Sequence, residues 1–441
     1  MLIFSGVFKN AEKKPQKICM TFGKKVITYK ELAKSINERA AFLASKYRIG
    51  SRIIIKNLDP IDAITVFLAC SRAGLISITV NDKITSLQLN KVTQKVKQCC
   101  IIDDKFYFRS DGKEYYKLPC IDDSCIFLGA LSSGTTGHNK VIWRDHKSWA
   151  SAFKYQSEIF NISSSDILFL IGSLSYTGNL NSAIHILNEG GSIVFSKSIY
   201  PKTWIREMIQ NNVTSMFAVP ARYRVLLKEL DMDFENVNSI LSAGDKLDGE
   251  TIDLLKKKFP NAHIFEYYGA SELGHVSYID FRNNYNIESV GKAFPQVKFW
   301  LKDDLVWVES PYIAPDFRPR ASVGDIGKID EKGNLYILGR KNNTINKGGV
   351  KILPYNIEKV LDANPKILKS AVFGIKDPVK GEDICVTIVL KVDTLGIEDI
   401  RKYCKKNLEP YLWPKEIKIV KDLKLNSSGK IDKKALSYKK K

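Results

Sequence analysis

Residues 132–140 combine the kinds of side chain that suit phosphate binding. The segment reads SSGTTGHNK, with two glycines, four hydroxyl side chains and one lysine in nine positions. Glycine lets backbone N–H groups approach an anion, hydroxyls donate hydrogen bonds, and lysine supplies positive charge. The Walker A pattern GxxxxGK[ST] does not occur in the sequence. On composition alone, a polar hairpin loop at the surface remains the alternative to a phosphate site.

Further short segments carry glycines or polar side chains at fixed places along the chain. They are Ser242–Leu247 (SAGDKL), Tyr267–Glu272 (YYGASE), Ser289–Lys292 (SVGK), Val323–Asp325 (VGD), Gly339–Glu358 (GRKNNTINKGGVKILPYNIE) and Leu425–Asp432 (LNSSGKID). Taken singly, each has an ordinary structural interpretation. Glu272 alone suggests a solvated carboxylate, Asp325 a turn residue, and Lys430 one lysine among many.

Together these segments resemble the motifs of the adenylate-forming superfamily, in that family's order. This superfamily includes acyl-CoA synthetases, nonribosomal peptide adenylation domains and luciferases. Residues 132–140 resemble its signature loop TSGTTGxPKG, Tyr267–Glu272 resembles YGxTE, and Leu425–Asp432 resembles LxxNGKxD. The loop departs from the family pattern at Asn139 and Val141, where proline and glycine are usual. The resemblance covers nearly the whole chain and implies an enzyme that activates a carboxylic acid with ATP.

The resemblance also implies a nucleotide site, a metal site and catalytic residues. Glu272 and Thr136 would hold Mg²⁺. Lys430 would stabilise the charge that develops between the attacking carboxylate and the α-phosphate, so Lys430 and Glu272 are the expected catalytic residues. The residues expected to bind the nucleotide are Ser132, Ser133, Gly134, Thr135, Thr136, Gly137, Lys140, Gly244, Asp245, Tyr268, Gly269, Ser271, Asp325 and Arg340.

Members of the family commonly rotate a small C-terminal domain between two half-reactions. The expected hinge is Asn342, a position where relatives usually have Asp or Lys. Rotation would remove Lys430 from the site after the acyl-AMP has formed. Rotation would bring Lys347, Gly348 and Gly349 to the site. The two glycines would leave room for the pantetheine arm of a thiol such as CoA.

The acid is expected to bind near residues 171–180. The lining residues implied by the resemblance are Ser175, Tyr176, Gly178 and Ala243. Relatives that activate amino acids place an Asp near the position of Ser175, where it holds the α-ammonium group. Residues 171–180 contain no Asp or Glu, so a neutral fatty or aryl acid is favoured over an α-amino acid.

The hydrophobic pattern predicts elements that can carry these motifs. Strand and helix signals alternate through the first 230 residues; for example, Tyr29–Tyr47 has helical spacing with Thr28 as N-cap. Such alternation predicts an α/β fold of layered sheets covered by helices. Short antiparallel strands are predicted over 297–338, followed by about 100 residues of α+β pattern. With this pattern, the resemblance implies two domains: 1–340, which would bind AMP, and 341–441, a small domain that would carry Lys430 and could rotate.

Composition narrows the class of protein further. The net charge is +20, which suits an anionic partner or a Lys-rich solvated surface. Eight cysteines without a CxxC pair indicate neither a disulfide framework nor a zinc site. The cysteines are expected to be reduced thiols. The sequence has no apolar run of the ~18–20 residues that span a bilayer and no signal-peptide pattern. These features predict a cytoplasmic protein. The sequence lacks a strand pattern of interleaved basic and aromatic residues, which would indicate nucleic-acid binding.

Three functions remain open from the sequence. The first is an acyl-CoA synthetase that uses ATP, Mg²⁺ and CoA. The second is a stand-alone ligase that loads an acyl or aminoacyl group onto an acidic carrier protein; the ending LNSSGKIDKKAL and the net charge of +20 favour it. The third is a non-catalytic member of the superfamily, against which the retained Lys140, Glu272, Asp325, Arg340 and Lys430 argue. The identity of the acid and the oligomeric state do not follow from the sequence.

Overall fold

The computed structural model describes residues 1–97, 99–108, 118–132, 140–196, 198–282, 286–391, 395–423, 431 and 436. The chain divides into two compact units. One comprises Met1–Phe299 and Val308–Ala321, and the other comprises Trp300–Trp307 and Ser322–Lys441. The predicted boundary between residues 340 and 341 stays a prediction.

The first third of the chain alternates strands and helices, and ends in two antiparallel strands. Its elements are α1 (Ser5–Lys13), β1 (Ile18–Phe22), β2 (Lys25–Thr28), α2 (Tyr29–Lys46), β3 (Arg52–Ile55), α3 (Pro60–Arg72), β4 (Ile76–Thr79), α4 (Ser86–Val96), β5 (Cys99–Ile102), β6 (Ile126–Ser132) and β7 (Lys140–Asp145). Thr28 caps α2 as predicted: its side chain accepts from the Glu31 amide, and the Glu31 carboxylate accepts from the Thr28 amide.

The alternation continues as far as residue 280. The elements there are α5 (His146–Phe160), β8 (Ile167–Leu170), α6 (Thr177–Glu189), β9 (Ser192–Phe195), α7 (Pro201–Gln210), β10 (Ser215–Ala218), α8 (Pro220–Glu229), β11 (Ser239–Ala243), α9 (Gly249–Lys258), β12 (His263–Ala270) and β13 (Gly274–Asp280). Strands β8, β9, β10 and β11 are almost continuously apolar and buried. That pattern is typical of parallel strands covered by helices on both faces.

Two sheets organise these elements. The larger has the order β14-β13-β12-β11-β10-β8-β9-β1-β2, where β14 is Lys292–Ala293, and the run from β12 to β1 is parallel. The smaller has the order β5-β3-β4-β6-β7. It is parallel from β5 to β6, and β7 returns antiparallel to β6. A core of buried aliphatic and aromatic side chains lies against β8, β10, β11 and β12.

The remaining elements are short antiparallel strands followed by an α+β pattern. They are β15 (Lys298–Lys302), β16 (Leu305–Glu309), β17 (Arg320–Ala321), β18 (Asp325–Ile329), β19 (Leu335–Arg340), β20 (Ile345–Lys347), β21 (Val350–Ile352), α10 (Pro354–Asp362), β22 (Ile367–Asp377), β23 (Gly381–Leu390), α11 (Ile397–Asn407) and β24 (Glu416–Ile419), with 3₁₀ turns at Pro315–Phe317, Lys341–Asn343 and Pro410–Leu412.

Two five-stranded sheets are built from these later strands. One has the order β15-β16-β18-β19 with β17 beside β16, and the other has the order β21-β20-β23-β22 with β24 beside β23. The second sheet packs on α10 and α11 through a separate apolar cluster that includes Ile357, Val386 and Ile400. The predicted α/β class, with a large N-terminal part of layered sheets and a smaller α+β C-terminal part, is confirmed.

Candidate active site

The carboxyl ends of β11 and β12 bring two of the predicted motifs side by side. The strands are parallel neighbours, and Ala243 pairs with Tyr267 at the end of the ladder. Gly244 and Asp245 therefore follow β11 next to the point where β12 continues into Tyr268. Ligand sites in open α/β sheets form at this edge, outside the carboxyl ends of parallel strands.

A buried carboxylate stabilises the turn after β11. Glu266 on β12 is 3% exposed, accepts a 2.6 Å hydrogen bond from the Leu247 amide, and pairs with the Lys246 ammonium at 3.1 Å. Burial raises the pKa of the Glu266 carboxyl, against the pull of the Lys246 charge. The Lys246 ammonium also donates to the Ser289 carbonyl. The turn that carries Gly244 and Asp245 is thus tied to two other segments of the chain.

The predicted acyl-pocket residues meet at this edge. Tyr176 and Gly178 lie at the start of α6, and a Cβ atom built on Gly244 would lie 2.4 Å from the Tyr176 hydroxyl. Gly244 also has φ +90°, a conformation that favours glycine. Ser175 hydrogen-bonds to Ser173 within the preceding loop, at 2.9 Å between hydroxyl oxygens. The structure therefore brings Tyr176, Gly178 and Gly244 together beside β11.

The segment after β12 is held by its backbone and presents two polar side chains. The Glu272 carbonyl accepts from the Ala314 amide at 2.9 Å. The Ser271 hydroxyl lies 3.3 Å from the Thr177 hydroxyl. The Glu272 side chain is half-buried, and among the described residues it forms no salt bridge. Gly269 allows the return into β13, because a Cβ there would lie 2.3 Å from the Gly274 carbonyl oxygen.

Arg144 on β7 connects this segment to the predicted phosphate loop. Its guanidinium is 2% exposed and donates to the carbonyls of Ser271 (2.9 Å), Ser148 (3.0 Å) and Tyr312 (2.8 Å). Because β7 begins at Lys140, where the phosphate motif ends, the loop starts and finishes on a hairpin anchored to Ser271. No motif in the sequence predicted a role for Arg144. Its signal is a charged residue directly after the apolar residues Val141–Trp143 and within the same strand.

The phosphate loop itself lies mostly outside the described residues. Ser132 and Lys140 pair across β6 and β7, and the Lys140 ammonium lies 4.5 Å from the centre of the Phe317 ring. The side chain of Ser132 is not described. The predicted residues outside the described parts of the chain are Ser133, Gly134, Thr135, Thr136 and Gly137, together with Lys430.

The remaining site predictions fall in the second unit. Asp325 begins β18 and is 3% exposed; Arg340 pairs with it across the ladder and donates from Nε to its carboxylate at 2.8 Å. Asn342 is exposed in a 3₁₀ turn just after β19. Gly348 and Gly349 have φ +61° and +89°, and no atom of the described residues lies within 4 Å of their Cβ positions.

Lys347 is occupied by a buried carboxylate. Its ammonium lies 2.8 Å from Asp383 and donates to the Trp413 carbonyl at 3.1 Å. Burial opposes ionisation of Asp383, but hydrogen bonds from Lys347, the Ile384 amide and Lys380 outweigh it and lower the pKa of that carboxyl. The predicted role of Lys347 at a thiol site stays a prediction.

Sequence comparison identifies the family. The family described as AMP-binding enzyme matches residues 7–116 and 111–311, and the AMP-binding enzyme C-terminal domain matches residues 356–430. The chain belongs to the AMP-binding enzyme family. The prediction of an adenylate-forming enzyme is thereby confirmed.

Individual AMP-binding relatives match along almost their whole length. An uncharacterized acyl-CoA ligase of Bacillus subtilis, YhfT, is 26% identical over 460 residues, covering 96% of this chain and 95% of that protein. A putative long chain fatty acid-CoA ligase of Staphylococcus epidermidis, VraA, is 26% identical with coverage of 96% and 95%. ATP-bound MatB from Rhodopseudomonas palustris superposes with a TM-score of 0.87 at 21% identity, covering 99% of this chain and 98% of that one. The last likeness supports the fold.

Other expectations concern the metal, the thiols and the membrane. Among the described residues, no three His, Cys, Asp or Glu side chains cluster as a metal site. The seven cysteines with described side chains are free thiols. No helix in the described parts of the chain has the length and apolar character needed to cross a bilayer.

Proposed function

We propose that this AMP-binding enzyme is an acid–thiol ligase of the acyl-CoA synthetase type. It forms an acyl-AMP from ATP and a carboxylic acid with release of pyrophosphate, and then transfers the acyl group to the thiol of CoA. The observation that carries the proposal is the contact of Arg144 with the Ser271 carbonyl. It links the hairpin whose two strands flank the phosphate motif to the Ser271–Glu272 segment. The Ser271 hydroxyl in turn lies 3.3 Å from the Thr177 hydroxyl, next to the predicted acyl-pocket residues Tyr176 and Gly178.

The first half-reaction requires that negative charge around the α-phosphate of ATP be stabilised by positive and hydrogen-bonding groups. A carboxylate oxygen of the acid attacks the α-phosphorus, and the bond to the bridging oxygen of pyrophosphate breaks. Residues 132–140 would hold the leaving phosphates through backbone N–H groups, hydroxyls and the Lys140 ammonium. Asp325 would accept from the ribose hydroxyls beside Arg340. Lys430 would stabilise the negative charge shared by the attacking and α-phosphate oxygens.

Magnesium fits the donor set of this site. Mg²⁺ is usually held by one or two carboxylates together with substrate phosphates. Glu272 offers one half-buried carboxylate that forms no salt bridge with the described residues. Thr136 is the second proposed contact. The ion would neutralise charge on the phosphates and so favour departure of pyrophosphate.

The second half-reaction uses the C-terminal domain. The thiol sulfur attacks the carbonyl carbon of the acyl-AMP, a thioester bond forms, and AMP leaves. Residues 341–441 would turn about Asn342, which is exposed, so that Lys430 serves only the first step. The open space at the Cβ positions of Gly348 and Gly349 suits the approach of a pantetheine arm.

The proposed test is acid-dependent exchange of pyrophosphate into ATP. Pools of fatty, aryl and amino acids are compared with a blank that contains no acid. We expect exchange with neutral acids and none with amino acids, because residues 171–180 carry no carboxylate for an α-ammonium group. Folded, nucleotide-binding protein that exchanges with no pool would contradict the proposal.

A carrier protein is the alternative thiol acceptor. The net charge of +20 favours an acidic carrier, whose approach would be accelerated by opposite charge. Once the acid is known, thioester formation is measured with CoA and with a phosphopantetheinylated acidic carrier at low and high salt. We expect CoA to be the better acceptor. A rate that is higher with the carrier and falls steeply with salt would favour the alternative.

A further inference from the structure

Three aromatic side chains converge on one backbone position of the proposed acyl pocket. A Cβ atom built on Gly178 would lie 3.0 Å from Tyr176 Cε1, 3.2 Å from Phe217 Cζ and 3.2 Å from the Tyr267 hydroxyl. These distances are at or below ordinary van der Waals contact. The space next to Gly178 is therefore already filled from three directions by α6, β10 and β12.

Tyr176 closes the pocket on the side of β11. Its hydroxyl lies 2.4 Å from the Cβ position of Gly244, so the ring reaches from the start of α6 to the turn after β11. Burial, together with the Asp245 charge, raises the pKa of the Tyr176 hydroxyl, so it stays a neutral phenol. An alkyl chain extending past Gly244 would have to displace this ring.

An aromatic layer continues behind these side chains. The ring centres of Phe217 and Tyr267 are 6.2 Å apart, those of Tyr267 and His275 4.6 Å, and those of His275 and Phe294 4.9 Å. Phe217, His275 and Phe294 are each less than 10% exposed. Close-packed interiors of this kind resist added methylene groups.

A cavity beside Phe217 is too small for a long chain. Its volume is about 10 Å³, and Leu168, Ile186 and Leu241 are among the residues that line it. A cavity of that size holds about one water molecule. It offers no room for the tail of a long acid beyond Phe217.

We infer that this enzyme activates short-chain carboxylic acids and that Tyr176 is the residue that limits chain length. The inference rests on the proposed acid–thiol ligase function, since it concerns the acid used by that reaction. A short-chain acid differs from the long chain fatty acid that appears in the name of the relative VraA. Pocket depth set by a few side chains can separate relatives that share a fold, because function depends on the site.

The experiment measures pyrophosphate release with acetate, butanoate, hexanoate, decanoate and palmitate. In the wild-type enzyme we expect kcat/KM for butanoate to exceed that for palmitate by at least about a hundredfold, since a pocket that rejects even a single methylene can discriminate ~10–200-fold. Tyr176→Ala is expected to move the optimum toward hexanoate or decanoate. Tyr155→Ala is the matched control: Tyr155 lies on α5, and its hydroxyl accepts a hydrogen bond from the side-chain amide of Gln296. The control variant should keep the wild-type profile.

A binding measurement keeps the inference testable if turnover or folding fails. Unreactive sulfamoyl adenosines carrying butanoyl or palmitoyl groups are titrated into the wild-type enzyme by calorimetry. Tighter binding of the butanoyl compound supports the inference, and tighter binding of the palmitoyl compound overturns it. If palmitate is turned over as well as butanoate, chain-length selection is wrong while acid activation stands. If none of these acids releases pyrophosphate, activation of short-chain acids is wrong, and exchange with the pool of aryl acids decides whether acid activation stands.

Discussion

At the scale of single residues, Arg144 holds together several chain segments around the candidate site. Its buried guanidinium donates to three backbone carbonyls, those of Ser148, Ser271 and Tyr312. Hydrogen bonds to charged groups contribute ~1.5–3 kcal/mol each, and a buried carbonyl left without a donor is costly. The positions of Ser271 and of the hairpin that starts the phosphate loop therefore depend on one side chain.

We expect Arg144→Met to lower the free energy of unfolding by about 3–5 kcal/mol, because the buried carbonyls of Ser148 and Tyr312 and the partly buried carbonyl of Ser271 lose their donor. Chemical denaturation of the folded chain measures this value. The matched control is Arg282→Met, since Arg282 also donates to backbone carbonyls but lies at the surface. The control substitution should lower the free energy of unfolding by about 1 kcal/mol or less, because water can replace the lost donor. Equal losses in the two variants would contradict the structural role of Arg144.

Glu272→Ala tests the proposed metal contact. Loss of its carboxylate should raise the Mg²⁺ concentration needed for half-maximal pyrophosphate exchange by about tenfold or more, because Mg²⁺ binds through few protein carboxylates. Glu12→Ala, which removes an exposed carboxylate of α1, is the control and should leave the titration unchanged. A magnesium titration that is the same for Glu272→Ala and the wild type would exclude Glu272 from the metal site.

At the scale of elements, tight turns between strands set how closely the sheet edges approach. Gly291, within the segment Ser289–Lys292, has φ +86° and its Cβ position lies 1.8 Å from the Tyr278 carbonyl oxygen. Gly333, in the turn between β18 and β19, has φ +78° and an open Cβ position. The two glycines share a backbone conformation and differ in the space around them.

Gly291→Ala should destabilise the fold more than Gly333→Ala. Both substitutions carry the left-handed conformational cost of ~1–2 kcal/mol. At Gly291 the added methyl also collides with backbone, so we expect an additional loss of about 2 kcal/mol or more. Urea denaturation of the two variants measures the difference. Equal midpoints would show that the strand carrying Gly291 can move away from Tyr278.

At the scale of the whole molecule, three buried histidines in the first unit couple stability to pH. Burial lowers the pKa of His146 to about 4 and those of His185 and His275 to about 3. The Ile3 amide donates to His146 Nδ1 at 3.1 Å, and His185 Nε2 lies 2.8 Å from the Ser157 hydroxyl. Near neutral pH these imidazoles are therefore uncharged in the folded chain.

We expect the free energy of unfolding to fall as pH decreases from about 6.5 to about 4. In this window the unfolded chain binds protons that the folded chain excludes, so protonation favours unfolding. Each histidine contributes at most ~1.4 kcal/mol per pH unit. His185→Gln should flatten the slope by about one proton relative to wild type. His263→Asn is the control, because the His263 side chain is 43% exposed; a His185→Gln slope equal to that of the wild type would contradict the expectation.

Domain rotation predicts a separation of the two half-reactions. We expect Lys430→Ala to reduce acyl-AMP formation by at least about a hundredfold, because a positive charge is lost where negative charge develops. Thioester formation from supplied acyl-AMP should stay within about threefold of the wild type, because rotation removes Lys430 before that step. Lys421→Ala, which removes an exposed lysine a few positions earlier in the chain, is the control. Equal loss of both half-reactions would contradict the rotation.

Much of the fold followed from local patterns in the sequence. The predicted helix at Tyr29–Tyr47 is α2, with its capping box at Thr28. The short antiparallel strands predicted over 297–338 are β15 to β19. These elements were predictable because hydrophobic periodicity and capping are short-range properties. The order of strands in the nine-stranded sheet was not predictable, because it depends on crossover connections between distant segments.

The candidate site, like the fold, could be predicted from the sequence only in part. Glycines, hydroxyls and acids in motif order were sufficient to indicate an adenylate-forming enzyme. The roles assigned to Gly244, Ser271, Glu272, Asp325 and Arg340 stay predictions. Arg144 and the Glu266–Lys246 pair were missed because their partners lie far away in the chain. Their roles depend on burial, which no local pattern records.

The sequence by itself determined the family, the class of elements and the chemistry that its motifs can perform. Only the tertiary structure decided how those motifs are held and how much space lies between them. The contacts of Tyr176 with Gly178 and Gly244 illustrate the reason. Chain length selection depends on the volume left among side chains from separate strands and helices, and that volume exists only once the elements have packed.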